Sequence, residues 1–210
     1  MVVSAGRNAA GVTLKVKELE FFTLDRVIEI GGLAIGLAYL YFEYHANKLM
    51  WLMSVIMPIL SLWVYFNAGL YADFAINIYY LVIAVYGYIA WSRGLSRKKH
   101  KPLPITHMPG VYYAPAVVIL ALIFWALAWS LINFTNSTVP YWDAFTTALS
   151  IVAMWMLARK YAEQWLAWFI VDLVCTGLYI YKGIYFYSGL YAIYTVIALL
   201  GYRKWLRLMK

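Results

Sequence analysis

The sequence predicts an all-α membrane protein of seven transmembrane helices, arranged as two parallel three-helix repeats on either side of one linker helix. Three observations predict it. Of 210 residues, 65% are hydrophobic and 12% charged, with 10 Trp and 20 Tyr. That is too apolar for a soluble domain of this size. The basic residues crowd onto alternate connections, and the chain repeats itself without a gap at a long offset.

Taken in order, residues 1–24 come first. Met1–Gly11 has no apolar stretch of the kind a secretory signal needs. Thr13–Phe22 alternates charged and apolar residues, so 1–24 reads as a segment outside or at the membrane surface. Seven apolar spans follow, at 25–44, 48–68, 72–92, 112–133, 141–158, 163–182 and 186–204. Each is close to the ~20 residues a helix needs to cross a bilayer. The spans divide the chain into a first repeat at 25–92, a basic loop at 93–111, a linker helix at 112–133 and a second repeat at 139–205.

Lys and Arg set the orientation. With the basic loop in the cytoplasm, the inside holds Lys48, Arg93, Arg97, Lys98, Lys99, Lys101, Arg159, Lys160, Arg203, Lys204, Arg207 and Lys210. The outside holds Arg7, Lys15, Lys17, Arg26 and Lys182, a bias of twelve against five. The N-terminus is therefore expected outside and the C-terminus in the cytoplasm. The net charge of +8 is mostly this orientation signal, and a short loop tied between two spans makes a poor nucleic-acid site.

The repeat runs at an offset of 114 residues, from Trp51-Leu52 to Trp165-Leu166. Tyr65, Gly69 and Tyr71 match Tyr179, Gly183 and Tyr185; Tyr80, Gly87, Tyr88 and Trp91 match Tyr194, Gly201, Tyr202 and Trp205. Three spans plus one leave the second triplet entering from the same face as the first. Parallel repeats of that kind leave a cavity between them with a site near the midplane, which favours a transporter.

The candidate substrate residues centre on the sixth span. Trp165, Trp168 and Asp172 lie at i, i+3 and i+7 on one helical face, which Thr176 and Tyr179 continue. A carboxylate well inside a bilayer is costly unless it meets a cavity or a partner, so Asp172 marks a site. Aromatic faces beside one acid suit a flat, cationic or amide-bearing heteroaromatic ring. Asp172 falls opposite Pro58, Trp168 opposite Ser54, and Asn77 opposite Tyr191. Scaffold positions agree between the halves while polar mid-span positions differ, as an asymmetric ligand requires. Asn77 and Tyr80 share a face of the third span with Asp73, and suit either a ligand or an interhelical hydrogen bond. Tyr191 and Tyr194 are placed to close the cavity. Pro58 is a hinge candidate, and Glu29 and Asp143, matched in the repeat, suggest gating or structural roles. Glu43 and Glu163, beside Lys48 and Arg159, read as interfacial charges. Cys175 is the single cysteine, and the three His lie near span ends or in the basic loop, so no metal site and no cofactor is expected.

The pieces GLYADFAINIYY, YGYIAW, YWDAFTTALSIVAMWMLARKYAEQWLAW and LLGYRKW resemble the PnuC family of bacterial vitamin transporters, over about Asp25 to Trp205. The resemblance implies a three-plus-one-plus-three fold like that of SWEET-type transporters. It also implies uptake of an unphosphorylated vitamin across the inner membrane by facilitated diffusion, trapping by a cytoplasmic kinase, and a homotrimer. Members that carry nicotinamide riboside are similar at Trp165 and Trp168, with Asn where this chain has Asp172 and Gln where it has Asn77. Those departures favour thiamine, a thiazolium cation with an aminopyrimidine, over nicotinamide riboside, with riboflavin behind. Competing classes are a proton-coupled carrier using Asp172 and a structural subunit. An enzyme lacks a nucleophile–base pair within the spans.

Overall fold

The computed structural model describes residues 31, 34–67, 71–93 and 103–209. Seven α-helices carry the fold. These are α1 (34–44), α2 (Met50–Asn67), α3 (Tyr71–Arg93), α4 (Tyr113–Phe134), α5 (Pro140–Ala158), α6 (Gln164–Tyr181) and α7 (Tyr185–Leu208). A 3₁₀ turn at Gly110–Tyr112 leads into α4. No strand occurs among the described residues; one isolated bridge pairs Thr106 with Tyr161. Four helical stretches, Phe74–Arg93, Gly110–Phe134, Gln164–Tyr181 and Tyr185–Leu208, are long and apolar enough to cross a membrane on those grounds alone. Helix α5 is an interior helix. Ala144, Thr146, Ala148, Ser150 and Ala153 are buried along it.

Helix α2 packs on α3, α6 on α7, and α5 joins α3, α4 and α6. Helix α4 stands at the outside of the bundle. Val117, Leu122, Trp125 and Trp129 are more than half exposed on it, as a helix facing lipid requires.

The same contacts occur in both halves at the 114-residue offset. The α1–α2 and α5–α6 connections are one turn used twice. Ala46 N–H donates to Glu43 O (2.9 Å) and Asn47 N–H to Phe42 O (2.8 Å). In the second half Lys160 N–H donates to Leu157 O (2.9 Å) and Tyr161 N–H to Met156 O (3.0 Å). This pattern closes a helix with a left-handed residue, here Ala46 at φ 52° and Lys160 at φ 60°. Neither is glycine, so each turn carries about 1–2 kcal/mol of backbone strain that its hydrogen bonds and the surrounding packing offset.

Between the halves lies a row of four tryptophans. Trp51 meets Trp91 edge-on at 5.7 Å, and Trp165 meets Trp205 edge-on at 5.8 Å. Trp91 and Trp205 then meet each other at 6.0 Å. Trp91 Nε1–H donates to Leu157 O (3.3 Å), and Trp205 Nε1–H donates to Glu43 O (3.1 Å). Each half thus sends one indole to the equivalent helix-terminal carbonyl of the other. Gly87 and Gly201 make room for this layer. A Cβ at Gly87 would run into the Trp51 ring, and one at Gly201 would stand 2.7 Å from the Trp165 ring.

The connection before α4 is docked on the α5–α6 turn. Thr106 N–H donates to Lys160 O (3.2 Å), and Ala162 N–H donates to Thr106 O (3.0 Å). Glu163 holds the next two residues, accepting from Met108 N–H (2.9 Å) and pairing with His107 Nδ1 (2.6 Å). The Lys160 ammonium lies over the Trp91 ring (4.4 Å) and donates to Leu103 O (3.0 Å). Burial there holds it below the usual lysine range. Glu163 is therefore a structural clamp for this connection rather than an interfacial charge.

Candidate functional site

A cavity of about 540 Å³ opens between the two halves. Helix α6 contributes Trp165, Trp168 and Asp172, one residue per turn from the end nearest the basic loop. Helix α3 contributes Asn77 and Tyr80, helix α7 Tyr191 and Tyr194, and helix α2 Ser54 and Pro58. The helical periodicity that put each set on one face also turns those faces toward each other. Asp172 is 8% exposed, so its carboxyl belongs to the interior and not to the lipid face.

A second, more polar cavity of about 360 Å³ adjoins the first at Tyr80, Trp168, Asp172 and Tyr191. It leads toward the far end of the bundle past Thr146, Thr147, Ser150, Asp143 and Lys182. Asp143 accepts from Ser137 Oγ–H (2.6 Å) and lies 3.8 Å from Lys182 Nζ. Tyr179 stacks between Tyr187 (5.6 Å) and Tyr191 (5.2 Å) along the same route. Asp172 therefore stands where an apolar aromatic chamber meets a hydroxyl-rich passage.

One expected substrate-binding residue is placed elsewhere. Thr176 is not among the cavity-lining residues. Its hydroxyl donates to Asp172 O (2.8 Å), and its carbonyl accepts from Ser188 Oγ–H (3.2 Å), so it fastens α6 to α7. Asp143, expected in a gating or structural role, lines the polar passage. Glu29 and the side chain of Asp73 lie outside the described residues.

The reading of Glu43 as an interfacial charge is corrected. It is 2% exposed and lines the chamber at the loop end, with Tyr39 beside it on α1. Gln164, fully buried at the first turn of α6, lies next to the Glu43 carboxyl. The sequence carries a signal for both. At the repeat offset Glu43 falls opposite Leu157, and Gln164 opposite Met50. Among the described residues no group of three His, Cys, Asp or Glu could hold a metal ion.

A family model described as nicotinamide mononucleotide transporter matches residues 26–207. The chain belongs to this family, that of the PnuC transporters. It is 30% identical over 199 residues to the nicotinamide riboside transporter PnuC of Escherichia coli, covering 84% of this chain and 81% of that one. It is also 30% identical over 135 residues to the riboflavin/roseoflavin transporter RibM of Streptomyces davaonensis, covering 60% and 59% of the two chains. A crystal structure of the vitamin B3 transporter PnuC superimposes with a TM-score of 0.61 at 19% identity, over 85% of this chain and 80% of that one, which supports the fold. The PnuC member described here is thus a multi-pass membrane transporter of a small vitamin and not an enzyme.

Proposed function

We propose that this protein mediates facilitated uptake of nicotinamide riboside. The observation that carries the reading is the single chamber in which Asp172, Asn77 and the faces of Trp165, Trp168 and Tyr191 converge. A pyridinium ring fits such a chamber: it stacks on indole and phenol faces, and one carboxylate balances its charge. The named relatives carry nicotinamide riboside and riboflavin, so the preference for thiamine drawn from Asp172 gives way to nicotinamide riboside. Thiamine is kept as the second reading because the Asp172 carboxylate pairs equally well with a thiazolium. The two halves are read as parallel three-helix repeats about α4, a relation the reciprocal indole bonds of Trp91 and Trp205 support. The basic loop is placed in the cytoplasm by its Lys and Arg. A homotrimer and trapping by a cytoplasmic kinase complete the reading.

The test is a titration of the purified protein with nicotinamide riboside, thiamine and riboflavin, read by tryptophan fluorescence, on wild type and Asp172→Asn. Proteoliposome uptake with and without a pH gradient accompanies it. Nicotinamide riboside is expected to bind most tightly and to equilibrate without concentrating. Binding of thiamine alone, abolished in Asp172→Asn, restores the second reading. Accumulation driven by external acid identifies a proton-coupled carrier instead.

A further inference from the structure

A third pocket, of about 370 Å³, opens at the end of the bundle nearest the basic loop and shares no lining residue with the chamber or the polar passage. It lies where the α1–α2 turn, the end of α3 and the α5–α6 turn meet. His45 and Lys48 of the first half line it together with Lys160 of the second. Among the described residues no Asp or Glu does. Glu163, the carboxylate nearest to Lys160 in the chain, is already held by His107 and Met108. Lys160 is half-buried and gives one N–H to Leu103 O (3.0 Å), which leaves two donors over. His45 Nδ1–H donates to Tyr41 O (2.8 Å), so its Nε2 is left over as well. Cations gathered in a partly desolvated pocket without a counter-charge are costly unless an anion joins them.

Other groups there are also unmatched. Ser92 lines the pocket, and its hydroxyl oxygen is buried without a hydrogen bond. Buried polar atoms are almost always paired, so this one marks where something else completes the bonding. The repeat shows what is missing. In the second half Thr106 covers the turn, donating to Lys160 O and accepting from Ala162 N–H. At the 114-residue offset these groups correspond to Ala46 O and Lys48 N–H. Neither has a partner among the described residues, and both residues line the pocket. Membrane orientation asks only that Lys and Arg stay on one side. It gives no reason for an unpaired hydroxyl and an uncovered turn between two of them.

We propose that this pocket binds a phosphate group, carried by a soluble phosphomonoester or by a lipid headgroup, through Lys48, Lys160 and Ser92. Phosphate oxygens accept from ammonium and hydroxyl groups alike, and charge-assisted bonds of this kind are the strong ones. A bound phosphate bridges the two halves, since Lys48 belongs to the first and Lys160 to the second. The site is separate from the vitamin chamber and holds whichever vitamin is carried.

The test is a calorimetric titration of the full chain in neutral detergent, at ionic strength fixed with chloride. The probes are inorganic phosphate and short-chain phosphatidylglycerol below its micelle concentration. Wild type is compared with Lys48→Gln, Ser92→Ala and Lys204→Gln; Lys204 lies over Tyr44 at the same end without lining the pocket. Melting temperatures report folding. Lys48→Gln is expected to weaken binding at least fivefold and Ser92→Ala about threefold, with Lys204→Gln within twofold of wild type. Saturable binding of inorganic phosphate with that pattern assigns the site to soluble phosphates. The same pattern with phosphatidylglycerol alone assigns it to a lipid headgroup. Binding of neither probe, or equal loss in Lys48→Gln and Lys204→Gln, overturns the site. So does binding that Lys48→Gln and Ser92→Ala leave unchanged.

Discussion

Gly201 sets how closely α7 approaches α6, and Gly201→Ala tests the tryptophan layer directly. The added Cβ would lie 2.7 Å from three atoms of the Trp165 ring, a separation real Cβ atoms do not tolerate. Trp165 is 2% exposed and already packed edge-on to Trp205, so it has little room to retreat. Overpacking a well-filled core costs about 1–3 kcal/mol. Alanine's better helix propensity returns up to about 1 kcal/mol. The net loss is up to about 2 kcal/mol, or up to roughly 8 °C in melting temperature for a chain of this size. Because Trp165 lines the chamber, a displaced ring also spoils stacking worth about 1–2 kcal/mol, so affinity falls about 5–30-fold. Gly87→Ala makes the same collision with Trp51, which does not line the chamber. It is expected to lose stability alike and keep affinity within about twofold. Gly177→Ala, with nothing within 4 Å of its Cβ, is the control and should match or exceed wild type. Thermal unfolding in detergent and vitamin titration by fluorescence measure both effects. Unchanged stability and affinity in Gly201→Ala, or equal binding loss in Gly87→Ala, would falsify the layer as the determinant.

Two further perturbations follow from the fold. Trp205→Phe removes the Nε1–H bond to Glu43 O and leaves a small void, and Trp91→Phe removes its counterpart to Leu157 O. Each should cost about 1.5–3 kcal/mol by thermal unfolding, and a near-zero cost for either refutes the reciprocal clasp between the halves. Glu163→Gln weakens the charge-assisted bonds to His107 and Met108. At about 2 kcal/mol the Met108 amide should exchange with deuterium about 30-fold faster, and an unaltered rate shows that the connection is held by other contacts.

The helices were legible because lipid enforces length and apolarity span by span. Expected spans 112–133, 163–182 and 186–204 correspond to α4, α6 and α7 within a few residues at each end. The cavity-lining residues of one helix were legible too, since periodicity alone brings Trp165, Trp168 and Asp172 to one face. What periodicity cannot see is which other helix covers a given end. Glu43 sits one residue from the end of α1 and near Lys48, so its position in the chain suggested the interface. The Schellman turn at Ala46 carries the chain away, Trp205 covers the Glu43 carbonyl, and the side chain is enclosed. Thr176 failed for the opposite reason. It lies on the predicted face, but in an apolar helix its hydroxyl bonds to the carbonyl four residues earlier.

The distribution of agreement and disagreement between the halves bears on how one substrate orientation is selected. The residues that hold the halves together are matched: Trp51 with Trp165, Trp91 with Trp205 and Gly87 with Gly201. The chamber's polar groups are not. Asp172 corresponds to Pro58, Trp168 to Ser54 and Glu43 to Leu157. A chamber built only from matched positions would accept an elongated ligand in two orientations of equal energy. Each polar exchange adds interaction in one orientation and an unmet buried group in the other. A difference of about 1.4 kcal/mol already gives a tenfold preference. Under the proposed uptake of an elongated vitamin, Asp172 and Glu43, which line the chamber at different depths, would distinguish the two ends of the ligand. The matched layer can then hold the halves together in the same way whatever occupies the chamber, while the unmatched positions that line it are free to differ.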